Sequence, residues 1–255
     1  MLPENKTVAL FVTCLVDAMR PNIGFAAVKL LGEIGADVVV PDGQTCCGQP
    51  ALNSGALDDA RKVARTLIDA FKGYDYVVTP SGSCAGTVVA HYPELFKDDA
   101  KYKPLAENLA ARTYELTTFL ADVGGWNKTD VSYDGDCAYH DSCSGLRELG
   151  IKQQPRKLLQ NVSGLNLKEL SEGGTCCGFG GLFSVKLGEI STAIVDKKSD
   201  DILTTNADTL LGGDLGCLLN MAGRLSRRGE NIKVYHIAEI LAGMANVAPI
   251  GAGEK

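Results

Sequence analysis

The chain has 255 residues, 45% apolar and 22% charged, with a net charge of -6. That composition suits a folded protein with a sizeable core, and no Lys/Arg-rich run supplies the concentrated positive charge that a nucleic-acid face needs. No apolar run approaches the roughly 20 residues that span a bilayer, so direct membrane insertion is not expected.

The first apolar stretch, Val8 to Val16, has no basic leader and no cleavage site and reads as a strand, not a signal peptide. The expected compartment is the cytoplasm. Val8 to Thr13 is β-branched and apolar, Ile23 to Ile34 has helical periodicity, and Asp37 to Val40 is a second short apolar run. Leu57 to Phe71 is again amphipathic, and Tyr76 to Thr79 is a third strand. The order returns downstream: Ala138 to Asp141, Leu165 to Leu170 and Thr209 to Leu211 read as strands, Pro155 to Asn161 and Ile190 to Leu203 as helices. A helical tail is expected in each half, Leu105 to Val123 and His236 to Ala245, because Tyr114-Glu-Leu-Thr-Thr-Phe-Leu aligns with Tyr235-His-Ile-Ala-Glu-Ile-Leu. The glycine-rich, polar stretch Gly124 to Asp136 separates them, giving two expected domains at residues 1–127 and 128–255. Alternating strands and helices predict an α/β fold of two tandem, pseudo-symmetric halves. Each is a small, mostly parallel sheet with flanking helices and cysteine loops at the strand C-terminal ends, where such sheets bind ligands.

The cysteines carry the repeat. Thr45-Cys46-Cys47-Gly48 recurs as Thr175-Cys176-Cys177-Gly178, offset by 130 residues. Cys14 is separated from its pair by 31 residues and Cys143 by 32; Cys84 follows after 36 and Cys217 after 39. Nine cysteines in a reducing compartment point to metal ligands or redox groups before disulfides. Buried cysteine is a common small hydrophobe, but a core has no need of adjacent pairs. Each half therefore offers four candidate ligands: Cys14, Cys46, Cys47 and Cys84, then Cys143, Cys176, Cys177 and Cys217. Four thiolates suit a cubane iron–sulfur cluster or structural zinc. Zinc usually draws on close Cys-x-x-Cys pairs, whereas single cysteines from separate loops suit the wider cluster, so one [4Fe-4S] cluster per half is expected, with zinc as the alternative. Glycines crowd the cysteines and let backbone N–H groups approach the sulfurs. A thiol–disulfide enzyme would call for Cys-x-x-Cys at a helix start, and none is present. His140, three residues before Cys143, is a candidate hydrogen-bond donor or proton relay beside the second set. His91 and His236 read as structural, and Cys137, with no counterpart, reads as core.

VTCLVD at Val12, CCGQPALNSG at Cys46, VTPSGSC at Val78, YHDSC at Tyr139, CCGFGGLFSVK at Cys176 and GCLLNMAGR at Gly216 closely resemble the lactate-utilization protein A branch of the CCG-domain cysteine-rich proteins. Relatives include the iron–sulfur subunits of glycolate oxidase and anaerobic glycerol-3-phosphate dehydrogenase, and the cysteine-rich subunit of heterodisulfide reductase. The resemblance implies an electron-transferring iron–sulfur subunit of an oxidoreductase complex that converts L-lactate to pyruvate. Its implied partners are a ferredoxin-like iron–sulfur subunit and a third lactate-utilization subunit. A glycolate- or glycerol-3-phosphate-oxidising complex, or a zinc-holding assembly role, is the alternative reading. No catalytic residue is assigned. In the heterodisulfide reductase relative a fifth cysteine opens the last motif of each half; here Ser81 and Asp214 stand at those positions. Five-cysteine ligation is thereby excluded, and Ser81 and Asp214 are expected beside the clusters. Leu215 and Ser144 also replace a cysteine and a histidine frequent in close relatives.

Overall fold

The computed structural model describes residues 6–128 and 130–252. The first half runs β1 (Thr7–Leu10), α1 (Cys14–Met19), α2 (Pro21–Glu33), β2 (Asp37–Val39), α3 (Gln49–Asn53), α4 (Leu57–Ala70) and β3 (Tyr76–Thr79). It continues with α5 (Gly82–Gly86), a π-helical turn over Thr87–His91, α6 (Tyr92–Leu95), α7 (Lys103–Ala111), β4 (Thr113–Glu115), α8 (Leu116–Thr118) and a second π turn, Phe119–Val123. The second half runs β5 (Ser132–His140), α9 (Cys143–Glu148), α10 (Gln153–Leu159), β6 (Ser163–Lys168), α11 (Phe183–Lys186) and α12 (Gly188–Thr204). It ends with β7 (Thr209–Gly212), α13 (Leu215–Arg227), β8 (Lys233–His236) and α14 (Ile237–Leu241).

Both sheets are parallel and four-stranded, ordered β2-β1-β3-β4 and β6-β5-β7-β8, so the second half repeats the strand order of the first. Side chains alternate across a strand, and β1 uses that alternation to serve two cores. Ala9 and Phe11 point into a cluster with Leu67, Phe71 and Tyr92. Val8 and Leu10 join a larger one that continues into the second half through Leu120, Leu158, Leu210 and Ile240. Burying each such leucine or isoleucine contributes roughly 1.5–3 kcal/mol, so the halves are joined by apolar packing and not by the linker alone. Polar ties reinforce it: Arg20 Nε donates to Glu239 Oε1 at 2.9 Å, and buried His236 Nε2 lies 3.1 Å from the Pro80 carbonyl oxygen. Among the described residues no helix is long and apolar enough to cross a membrane.

Several expectations need correction. The first strand ends at Leu10, because Cys14 already opens a helix. Leu105–Val123 is not one helix: Arg112 donates from Nη1 to Tyr74 O at 3.0 Å and from Nη2 to Phe71 O at 2.7 Å, and the chain then enters β4, in register with β3. His236 likewise ends a strand and caps α14, which stops at Leu241. Each half thus has a fourth strand, too short for its alternation to register against the helices on either side. Finally, β5 begins at Ser132, so the last part of the expected linker is strand.

The fourth strands end on matched capping residues, Glu115 and His236. Glu115 Oε2 accepts from the N–H groups of Thr117 and Thr118 at 2.8 and 3.1 Å, and His236 Nδ1 accepts from Ala238 N–H at 3.1 Å. Burial, assisted by the charge of Asp214, pushes the Glu115 carboxyl up to about 7. The folded state therefore keeps a proton that the unfolded state releases at its lower pKa. Stability from this group is full below the unfolded value and declines as pH climbs toward 7, by up to about 1.4 kcal/mol per pH unit. Denaturant titrations across that window are expected to show a flatter pH dependence for Glu115→Gln than for wild type; superimposable profiles would reject the assignment.

Candidate metal centres

Each cysteine set forms where three chain segments leave the carboxyl edge of its sheet. Cys14 opens α1 after β1, Cys46 and Cys47 occupy the loop between β2 and α3, and Cys84 lies in the first turn of α5 after β3. Cys143 opens α9, Cys176 and Cys177 lie between β6 and α11, and Cys217 lies in the first turn of α13. All eight expected ligands fall into these two sets. Cys137 stands apart in the core, its thiol pushed up to about 12 by burial.

The sets share one internal wiring. Cys46 is flanked by the thiols of Cys14 and Cys47, and Cys47 by that of Cys84; Cys143, Cys176, Cys177 and Cys217 repeat the order. Gly48 N–H donates to Cys46 Sγ at 3.4 Å and Gly178 N–H to Cys176 Sγ at 3.3 Å. The flanking thiols and these N–H groups hold Cys46 and Cys176 far below the usual thiol range, while sharing of protons and burial keep Cys47 and Cys177 well above it. Within each set one sulfur is thus favoured as the thiolate, the form that binds metal. The carbonyls of Cys47 and Cys177 are pinned at matched places, by Tyr92 Oη at 2.9 Å and Asn220 Nδ2 at 2.8 Å.

The glycine of each pair takes a left-handed conformation, φ 85° at Gly48 and φ 81° at Gly178, which turns the second cysteine back toward the first. At Gly178 space also forbids a side chain, since a Cβ would lie 2.7 Å from the Ser191 carbonyl oxygen. Thr13, just before Cys14, has φ 75° without being glycine, a strain that persists because the surrounding fold over-determines it.

Ser81 and Asp214, the expected neighbours of the clusters, touch each other. Asp214 Oδ2 accepts from Ser81 Oγ at 3.1 Å and from Ser83 N–H at 2.8 Å, while Ser81 Oγ accepts from Cys84 N–H at 3.2 Å. A solvent-connected cavity of about 270 Å³ lies over the first set, walled on the far side by Phe179, Leu182, Val185 and Asp214 from the second half. The second set opens differently: Cys176 lines a cavity of about 490 Å³ with Asn53, Ser54, Leu182 and Phe183.

His140 is 1% exposed, and among the described residues neither ring nitrogen has a hydrogen-bond partner. One of its nitrogens and the sulfurs of Cys177 and Cys217 lie within 4.8 Å of one another. Buried polar groups are nearly always satisfied, so an imidazole without a protein partner, facing two thiols, fits a metal or cluster there. Burial, with the nearby charge of Lys198, pushes His140 down to about 3, leaving it neutral and able to donate or ligate. Lys198 escapes a reading of the sequence alone. Its only signal is a lysine on the α12 stripe of Ser191, Val195 and Ile202, where burial is expected.

A profile of the CCG cysteine-rich domain matches residues 8–88 and 137–222, one match on each cysteine set. The chain is 48% identical over 235 residues to lactate utilization protein A 2 of Bacillus cereus strain Q1, covering 92% of this chain and 97% of that one. It is equally identical over 234 residues to lactate utilization protein A of Bacillus cytotoxicus, covering 92% and 98%. A crystal structure of a hypothetical protein from Helicobacter pylori shares the fold at TM-score 0.59 and 14% identity, over 97% of this chain and 50% of that chain. With both cysteine sets inside the matched segments and nearly half of its residues shared with these relatives, the chain belongs to the CCG cysteine-rich domain family, in its lactate-utilization protein A branch.

Proposed function

We propose that the chain is the two-centre iron–sulfur subunit of a complex that oxidises L-lactate to pyruvate in the cytoplasm. Cys14, Cys46, Cys47 and Cys84 hold one cluster; Cys143, Cys176, Cys177 and Cys217 hold the other. The observation that carries this reading is the repeated gathering of four cysteines beyond the strand ends of each sheet, with a backbone N–H on the second sulfur of each set. Soft thiolates and amide donors are what a cluster asks of its host. Lactate enters through the names of the relatives. Bound clusters supply one-electron chemistry. The chain's own residues fix the sulfurs, bury Cys47 and Cys177 almost completely, and keep the Asp214 carboxylate hydrogen-bonded between the sets. A ferredoxin-like subunit and a third subunit of the complex exchange electrons and substrate with it.

Anaerobic reconstitution is expected to yield brown protein with about eight irons and about eight sulfides per chain, four of each per cluster. Colourless protein holding zinc in a fixed ratio, even after exposure to excess iron and sulfide, would replace this reading with the zinc-holding one.

A further inference from the structure

The two cysteine sets are alike in their sulfurs and unlike in what stands behind them. Counting back three residues from the first cysteine of each set gives Phe11 in one half and His140 in the other. The helix after each Cys-Cys-Gly turn differs in the same sense. A Cβ on Gly48 would meet the Ala60 carbonyl oxygen, and one on Gly178 the Ser191 carbonyl oxygen, so Ala60 and Ser191 correspond. Seven residues beyond them stand Leu67 and Lys198. Phe11 and Leu67 share an apolar cluster with Cys47 and Cys84. Lys198, at the matching place, is 0% exposed.

A fully buried ammonium needs support, and among the described residues it has two partners: the Glu172 carbonyl oxygen at 3.2 Å and Asp201 Oδ2 at 3.5 Å. The Asp201 carboxylate is also engaged by the Ser171 hydroxyl and by the N–H groups of Ser171 and Glu172. The field of Lys198 reaches Cys177, Cys217 and the His140 ring. Asp214 works against this contrast, because its charge acts on Cys217 while it heads that helix, but it is held on the first side by the Ser81 hydroxyl and the Ser83 N–H.

Resting on the two-cluster reading above, we infer that His140 and Lys198 make the second centre the more readily reduced of the two. A cluster gains one negative charge on reduction, with no bond made or broken. A nearby fixed positive charge and a donor facing the sulfurs stabilise that extra charge, and an apolar backing does not. At the matching places Phe11 and Leu67 give the first centre neither a charge nor a side-chain donor. Lys198 and His140 are positioning residues here: they act on the potential through the sulfurs.

The test is a mediator-controlled reductive titration with dithionite, followed by electron paramagnetic resonance on the reconstituted full chain. Spectra of Cys46→Ser and Cys176→Ser assign each signal to its half. In wild type the signal of the second half is expected to appear first. Lys198→Met is expected to shift that signal alone, by at least tenfold in its reduction equilibrium, which is 59 mV for one electron. Asp201 keeps its Ser171 and Glu172 donors in this variant. His140→Phe, which imports the first half's own residue, is expected to shift the same signal downward and to leave the first unchanged. The inference fails if the first-half signal appears first, if both appear together, or if both variants move the two signals equally. Reconstituted protein with no iron–sulfur signal at all would instead overturn the two-cluster reading, and the inference with it.

Discussion

Cys46→Ser and Cys176→Ser are each expected to lose about half the bound iron, from about eight atoms per chain to about four. Each of these cysteines lies between two neighbouring thiols of its set and accepts from one glycine N–H, which together favour its thiolate. A serine hydroxyl is a hard and weakly acidic replacement, so the set loses its favoured anionic donor. The other set shares no thiol with it and is expected to load normally. Cys137→Ser is the matched control: its sulfur lies outside both sets, and iron should be unchanged. Metal and sulfide analysis of the three variants decides the matter. Full iron in both ligand variants would remove those cysteines from the assignment, and complete loss in either would mean that the sites load as one unit.

Arg156→Met is expected to destabilise the chain by about 3–5 kcal/mol, because it strands a buried carboxylate. Arg156 grips Asp141 with both terminal nitrogens, at 2.8 and 2.9 Å, and Glu169 through Nε and Nη2 at 2.7 Å each. Asp141 is only 5% exposed and lies two residues before Cys143, so this pair sets the exit from β5 into the second site. Removing the guanidinium leaves Glu169 free to meet water but Asp141 without its cation. Denaturant unfolding of Arg156→Met is expected to show the full loss, and adding Asp141→Asn should recover part of it. A loss below about 1 kcal/mol would place the pair among ordinary surface bridges.

Most of the architecture was readable from cysteine spacing and from apolar runs. Thr45-Cys46-Cys47-Gly48 and its copy announced the repeat; β3 stands where its β-branched run predicts it, β7 lies within one residue of its expected span, and β1 ends three residues early. What escaped was short or contextual. Thr113–Glu115 is three residues long and becomes a strand only because β3 offers it an edge, so no local pattern marks it. Glu115 looks like any helix-start acid until burial and Asp214 raise its pKa. His140 was noticeable beside Cys143, but its contrast with Phe11, and that of Lys198 with Leu67, emerges only when the two sites are compared in space. Ser81 and Asp214 were expected near clusters; their direct bond could not be read from positions 133 residues apart.

That bond has a practical consequence for anyone dissecting the protein. Excising either repeat as a separate fragment would strip Asp214 of the Ser81 and Ser83 donors or leave them facing solvent, and would bare Val8, Leu10 and Leu210 together. The Ser81–Asp214 bond is a clasp between the repeats, so either repeat alone is expected to fold less stably than the intact chain.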